Sequence, residues 1–129
     1  ESGDRKYLPF FQEKLKKVNG FDALSFFSNY QMLIGQFETE ETMTALEPVI
    51  QIGLDQQQSP WRRLAAMKAL NDLRNEYRYE ANQVENEEAK QELENLVERV
   101  TKLMEKITAA ESNTQLKNMY DSFQLLQRS

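Results

Sequence analysis

The chain has 129 residues, with 16 Lys plus Arg against 21 Asp plus Glu, no His and no Cys. Lacking imidazole and thiol, it excludes a His-based acid/base step, a Ser-His triad, a Cys nucleophile, a disulfide and a zinc site of the Cys/His kind. Its net charge of -5 argues against nonspecific binding to nucleic-acid phosphates or anionic lipid, and no apolar run approaches the roughly eighteen residues that span a bilayer.

Four Gly and three Pro are too few for an all-β chain, and the Gln-, Glu-, Lys- and Leu-rich runs between them favour helix. Pro9 stands one turn into the first apolar segment, where a missing amide hydrogen costs little. It predicts a helix over residues 6–18 that ends at Asn19-Gly20. Asp22 is the expected N-cap of a second helix reaching Phe37, with Leu24, Phe27, Tyr30, Met32, Leu33 and Ile34 as its apolar stripe and Phe26 widening it. Thr39 is the expected cap of a third helix to about Asp55, which Pro48 must kink or divide.

After the connector Gln56-Gln57-Gln58, Ser59-Pro60 gives the clearest start signal in the chain, a hydroxyl N-cap followed by Pro at the first helical position. The helix beyond it carries Trp61, Leu64, Ala65, Leu70, Leu73 and Tyr77 on its apolar face, with Arg62, Arg63, Lys68, Arg74 and Arg78 expected largely outside it. The series Ala89, Leu93, Leu96, Val100, Leu103, Ile107 then forms a heptad seam, too short to argue for a coiled coil by itself. Whether residues 60–109 form one helix or two is open at this level. Asn113 is the expected cap of a last helix with Leu116, Met119, Tyr120, Phe123 and Leu126.

A shift of 39 lays Pro9-Phe10-Phe11 on Pro48-Val49-Ile50, and a shift of 40 lays Leu24 on Leu64, Phe27 on Met67, Tyr30 on Leu70 and Leu33 on Leu73. Two helical hairpins about forty residues apart match the period of HEAT and armadillo units, in which each pair hides its apolar face by stacking on the next. The expected fold is therefore all-α, a HEAT/armadillo-like α-α superhelix of five to six antiparallel helices. The pairs cover about residues 6–37, 39–79 and 84–127 of one domain spanning 1–129.

The segment Ser59-Pro60-Trp61-Arg62-Arg63-Leu64-Ala65-Ala66-Met67-Lys68-Ala69-Leu70 resembles the second helix of a HEAT repeat. With the helix-pair order and the closing Ala110-Glu111-Ser112-Asn113-Thr114-Gln115-Leu116 and Tyr120, the chain resembles the C-terminal helical domain of bacterial zinc aminopeptidases of the aminopeptidase N family. That resemblance implies a noncatalytic domain that packs against the catalytic unit of the same polypeptide and shapes substrate access. Zinc, its ligands and the His-Glu-x-x-His helix would then lie upstream, with no cofactor in this chain. The compartment is open at this level, the bacterial periplasm and cytoplasm both being compatible with that resemblance. The opening Glu1-Ser2-Gly3-Asp4, without an initiator Met, is in keeping with a fragment of a longer chain.

The remaining side chains offer few sharper readings. Glu85, Glu87, Glu88, Glu92 and Glu94 read as a solvated face, because helical di-iron sites also need Glu-x-x-His. Met32, Met67 and Met104 read as core filler, and Gly35 and Gly53 as close-packing positions inside helices. Trp61, Arg62, Arg63 and Tyr30 are the candidate interaction surface, on a concave face lined by the second helices, residues 22–37 and 60–78. The two guanidinium forks suit a carboxylate or phosphate, although in HEAT units such an Arg more often pairs with an acid of the neighbouring repeat.

The alternative function is an independent protein-interaction module that takes a partner helix or basic peptide in an acidic groove, since residues 21–60 hold six acids and no base. A third is homodimerisation through the seam at residues 89–107. The expected state is monomeric, with protein or peptide partners, no nucleic acid and no membrane insertion.

Overall fold

The computed structural model describes residues 6–128, with side chains through Phe123, so Glu1-Ser2-Gly3-Asp4 and the side chain of Leu126 lie outside the described residues and atoms. The described chain is helical throughout, without strands: α1 (Leu8–Leu15), α2 (Gly20–Ile34), α3 (Thr39–Leu54), α4 (Pro60–Gln83), α5 (Glu87–Ala110) and α6 (Thr114–Arg128). It divides into two compact units, Glu1–Ala69 and Leu70–Ser129, and the division falls inside α4.

In the amino-terminal unit α1, α2 and α3 pack on one another. Pro9 sits in the first turn of α1, where its missing N–H costs nothing. The helix closes where the Lys16, Lys17 and Val18 amides return to the Glu13 and Lys14 carbonyls. Gly20 comes next with φ of 59°, the left-handed conformation expected at this joint, and a Cβ there would find open space but a strained backbone. The second helix begins earlier than the acidic residue at 22 suggests. Asn19 is its N-cap, and Asp22 lies in the first turn, where its charge complements the helix dipole.

Helix α2 ends at Ile34 rather than Phe37, and Gly35 is its C-cap rather than an interior residue. Beyond its end the Ile34 carbonyl accepts the Phe37 amide at 3.1 Å and the hydroxyl of fully buried Thr42 at 2.7 Å. The buried face of α2 is Ala23, Phe27, Tyr30, Gln31 and Ile34. Met32 is 53 % exposed and is not core filler, whereas Met67 and Met104 are fully buried as expected.

Helix α3 starts at Thr39 with Glu38 as a cap that makes no side-chain bond, so Thr39 is the first helical residue and not the cap. It runs unbroken through Pro48. The proline deprives the Thr44 carbonyl of its helical donor, and Thr44 is not fully buried, which leaves that oxygen within reach of water. Buried Leu46, Val49, Ile50, Ile52 and Gly53 form its core side.

Ser59 caps α4 as the sequence predicts, accepting from the Arg62 amide. Residues 60–109 form two helices: α4 closes on the Val84 amide to Glu80 carbonyl bond, and Asn86 caps α5 by accepting from the Ala89 amide at 2.9 Å. In the carboxy-terminal unit α5 packs on α6. The buried stripe of α5 is Leu96, Val100, Met104 and Ile107. Met104 replaces Leu103 in it because a straight helix of 3.6 residues per turn drifts off a strict heptad within two repeats. Asn113 caps α6 as expected, accepting from the Leu116 amide at 3.0 Å, and Leu116 and Tyr120 are buried.

Candidate functional site

The four residues singled out from the sequence all fall in the amino-terminal unit, and three of them are buried. Tyr30 is 2 % exposed, Arg62 7 % and Arg63 5 %, while Trp61 is 41 % exposed. Tyr30 uses its hydroxyl to join three helices. It donates to the Ala45 carbonyl of α3 at 2.7 Å and accepts from the Gln12 amide of α1 at 3.1 Å. Burial raises its pKa above the ordinary tyrosine value, and the Gln12 hydrogen bond offsets part of that.

The arginines expected outside the apolar face of α4 turn inward because the ends of neighbouring segments need donors. Arg62 donates to the Val18 carbonyl, where α1 has ended, and through Nε to Gln58 Oε1 at 2.7 Å. Its guanidinium also lies 5.8 Å from the centroid of the buried Phe27 ring. Burial pulls its pKa below the usual guanidinium range. Arg63 donates to the Gln56 and Gln58 carbonyls, which closes the connector before α4 onto the helix it precedes. Both forks therefore serve backbone carbonyls that no helix satisfies. In the carboxy-terminal unit Arg74, also expected outside, is 1 % exposed, with bonds to Thr101 Oγ1, Asn71 Oδ1 and the Phe123 carbonyl.

Contacts at a separation of forty residues bring the start of α2 beside the start of α4. The Ser59 hydroxyl meets Asn19 Oδ1 at 3.2 Å, and the rings of Phe21 and Trp61 lie 4.8 Å apart at 47°. This neighbour leaves Trp61 partly in solvent, with Phe21 74 % exposed.

Clefts open to solvent surround α1, which the site residues read from the sequence did not include. A cleft of about 190 Å³ lies between Tyr7 and Phe11 on one side and Phe26, Asn29, Tyr30 and Leu33 on the other. A second, of about 480 Å³, is lined by Phe10, Glu13, Lys14, Lys17 and Val18. A third, of about 370 Å³, runs between α1 and α3 past Leu8, Gln12, Phe37, Glu40, Glu41, Thr44 and Ala45. The rings are in mutual contact, with Phe10 and Phe11 at 5.8 Å, Phe11 and Phe26 at 6.2 Å, and the Lys14 amine 5.3 Å above Phe26. Tyr7 and Phe10 remain 58 % and 65 % exposed. The signal available in the sequence was the pair Phe10-Phe11 within a lysine-rich helix. Helical spacing does not distinguish a ring that faces the core from one that faces water, so the pair alone does not mark a surface.

Glu85, Glu87, Glu88, Glu92 and Glu94 all stand in solvent, and among the described residues no group of His, Cys, Asp or Glu is placed to hold a metal ion. No described helix is long and apolar enough to cross a membrane. No protein-family model, curated protein or solved structure matches the chain.

Proposed function

We propose that the chain is a noncatalytic helical-repeat domain that works by binding another protein surface. The observation that carries this reading is the row of large aromatic side chains that the amino-terminal unit leaves in water beside open clefts. Contiguous exposed apolar area of this kind is costly to keep on a monomer and marks interaction sites. The buried tyrosine and arginines, by contrast, have their polar groups engaged in holding helix ends together.

A HEAT-like stacking of α1–α2 on α3–α4 is the finer form of the proposal. It is supported by the Asn19–Ser59 and Phe21–Trp61 contacts, which join positions forty residues apart at the starts of the two second helices. The narrowest form, attachment to a zinc aminopeptidase, rests on resemblance alone. The coding sequence upstream of Glu1 decides it: a His-Glu-x-x-His in frame supports the attachment, and a frame without one ends it.

The noncatalytic reading has a direct test. Equilibrium dialysis against zinc ion should leave the chain metal-free, and aminoacyl amide substrates should show no turnover above a blank. Stoichiometric zinc or measurable hydrolysis overturns it.

A further inference from the structure

We infer that the flank formed by α1 and α2 binds an acidic amphipathic helix, whose apolar anchor enters the cleft between Tyr7, Phe11, Phe26 and Leu33. The inference rests on the interaction reading above and names the chemistry of the partner.

Charge points to the sign of that partner. The chain as a whole is at -5, yet residues 6–18 carry Lys6, Lys14, Lys16 and Lys17 against Glu13 alone. Glu13 is engaged by Lys16 at 3.3 Å. Lys14 and Lys17 lie one helical turn apart and both line the cleft beside Phe10. The Lys14 amine also lies 5.3 Å from the centroid of Phe26, whose ring is a wall of the smaller cleft. A partner carboxylate can meet Lys14 while its apolar neighbour descends between the rings. Among the described residues neither Lys14 nor Lys17 forms an ion pair, so no intramolecular salt link must break first.

Shape points to a side chain on a helix. At about 190 Å³ the smaller cleft is below the roughly 300 Å³ at which small-molecule sites begin, and suits one anchoring side chain. The Tyr30 hydroxyl behind it is already committed to Ala45 and Gln12, so the walls present mainly ring faces and aliphatic surface. Two clefts on one helix flank, the larger lined by Lys14 and the smaller walled by the Phe26 ring that Lys14 overlies, match the way an amphipathic helix seats anchors at three- and four-residue spacing. A lipid surface would meet the same amines, but it has no use for a concavity of one side chain's size.

The test is selection of displayed random peptides, about four helical turns long, on the immobilised full chain. The Lys14→Glu/Lys17→Glu variant serves as counter-target. Both lysines are exposed, so that variant should keep the parent's circular dichroism and thermal midpoint. Expected are enriched peptides rich in Asp and Glu with Leu, Phe or Trp at helical spacing. Their affinity should fall by about tenfold or more on the double variant and weaken as salt rises. Phe10→Ser should weaken them by a smaller factor.

Enriched peptides that are basic and are lost on Glu40→Lys/Glu41→Lys would overturn this inference while leaving the interaction reading in place. So would peptides indifferent to both variants. No enrichment above a blank surface overturns it as well, as does flotation of the chain with phosphatidylserine-containing vesicles in the absence of peptide selection.

Discussion

The two units bury arginine for different purposes. In the amino-terminal unit helices of 8, 15 and 16 residues end often, and Arg62 and Arg63 spend their donors on the Val18, Gln56 and Gln58 carbonyls where segments stop. In the carboxy-terminal unit the 24-residue α5 and the 15-residue α6 have fewer ends to satisfy. There Arg74 reaches sideways, from α4 to Thr101 of α5 and to the Phe123 carbonyl of α6. Short helices create unpaired backbone groups, and a long cation with five donors is an economical way to answer them. They also leave flanks uncovered, and Tyr7, Phe10, Phe21, Met32 and Trp61 stand in solvent in the first unit where the second exposes Tyr79 and Met119.

The largest effect expected from breaking this contrast lies at Arg74. Truncation to Ala removes a side chain that is 1 % exposed and leaves the Thr101, Asn71 and Phe123 acceptors short of a donor. It should cost about 3 kcal/mol or more in urea unfolding. Arg74→Met fills the volume and should recover part of that. Burial, with Arg78 adding repulsion against the opposing pull of Glu105, lowers the Arg74 pKa to about 10. The unfolded chain therefore holds this proton more tightly, and the cost of burying the charge is relieved as pH rises above about 10. Wild type should gain on Arg74→Met in that range. A loss under about 1 kcal/mol on truncation would show that Arg74 is not a structural centre.

Tyr30→Phe tests the equivalent junction of the first unit, where a neutral hydroxyl joins α1, α2 and α3. It should cost about 1 to 2 kcal/mol, because the buried Ala45 carbonyl loses its tyrosine donor. The folded-state pKa is raised above 10.0. The hydroxyl's contribution is therefore complete below that pH and lost as pH climbs through the folded value. The stability gap between wild type and Tyr30→Phe should narrow above pH 10, and a constant gap would contradict the burial of this proton.

A smaller effect of opposite sign is expected at Gln31. It is 2 % exposed, and its Nε2 is buried without a partner. Replacing an unsatisfied buried amide by an apolar group of similar shape is neutral or favourable. Gln31→Met should leave stability unchanged or raise it by about 1 kcal/mol, read from the thermal midpoint. Destabilisation beyond about 1 kcal/mol would mean that the amide has a role in the folded unit.

Much of this architecture is legible in the residues themselves, and the boundary of legibility has a physical cause. Ser59-Pro60 and Asn113 announce their helices because capping is local: a side-chain oxygen meets an amide two or three residues on. Gly20 announces the joint after α1 because few other residues take its backbone angle. The burial of Arg62, Arg63 and Arg74 is not legible, because it depends on which carbonyls are left over elsewhere in the chain, and polarity alone assigns a guanidinium to water. Trp61 and Met32 fail in the opposite sense, as apolar residues at the edge of a stripe that the packing does not reach. The shift of forty is legible in the residues, and the contacts of Asn19 with Ser59 and of Phe21 with Trp61 join positions at that same separation. The equivalence of Pro9 and Pro48 carries less, since one begins a helix and the other lies in mid-helix.

The smallest stability effect belongs to the surface proposed to matter most for binding. Phe10 is 65 % exposed and touches Phe11 edge-on at 5.8 Å, so Phe10→Ser removes little buried area from the fold. The change in unfolding free energy should stay within about 0.5 kcal/mol, the range of surface positions without a special role. Lowering the exposed apolar area should also make the chain more soluble. Phe27→Ala on the buried side of α2 removes a ring with no exposure at all and should cost about 3 kcal/mol or more. The ratio between these two losses measures how far the aromatic content of the first unit is divided between holding the fold and facing outward. A loss at Phe10 approaching that at Phe27 would place its ring in the core and remove the exposed half of the comparison.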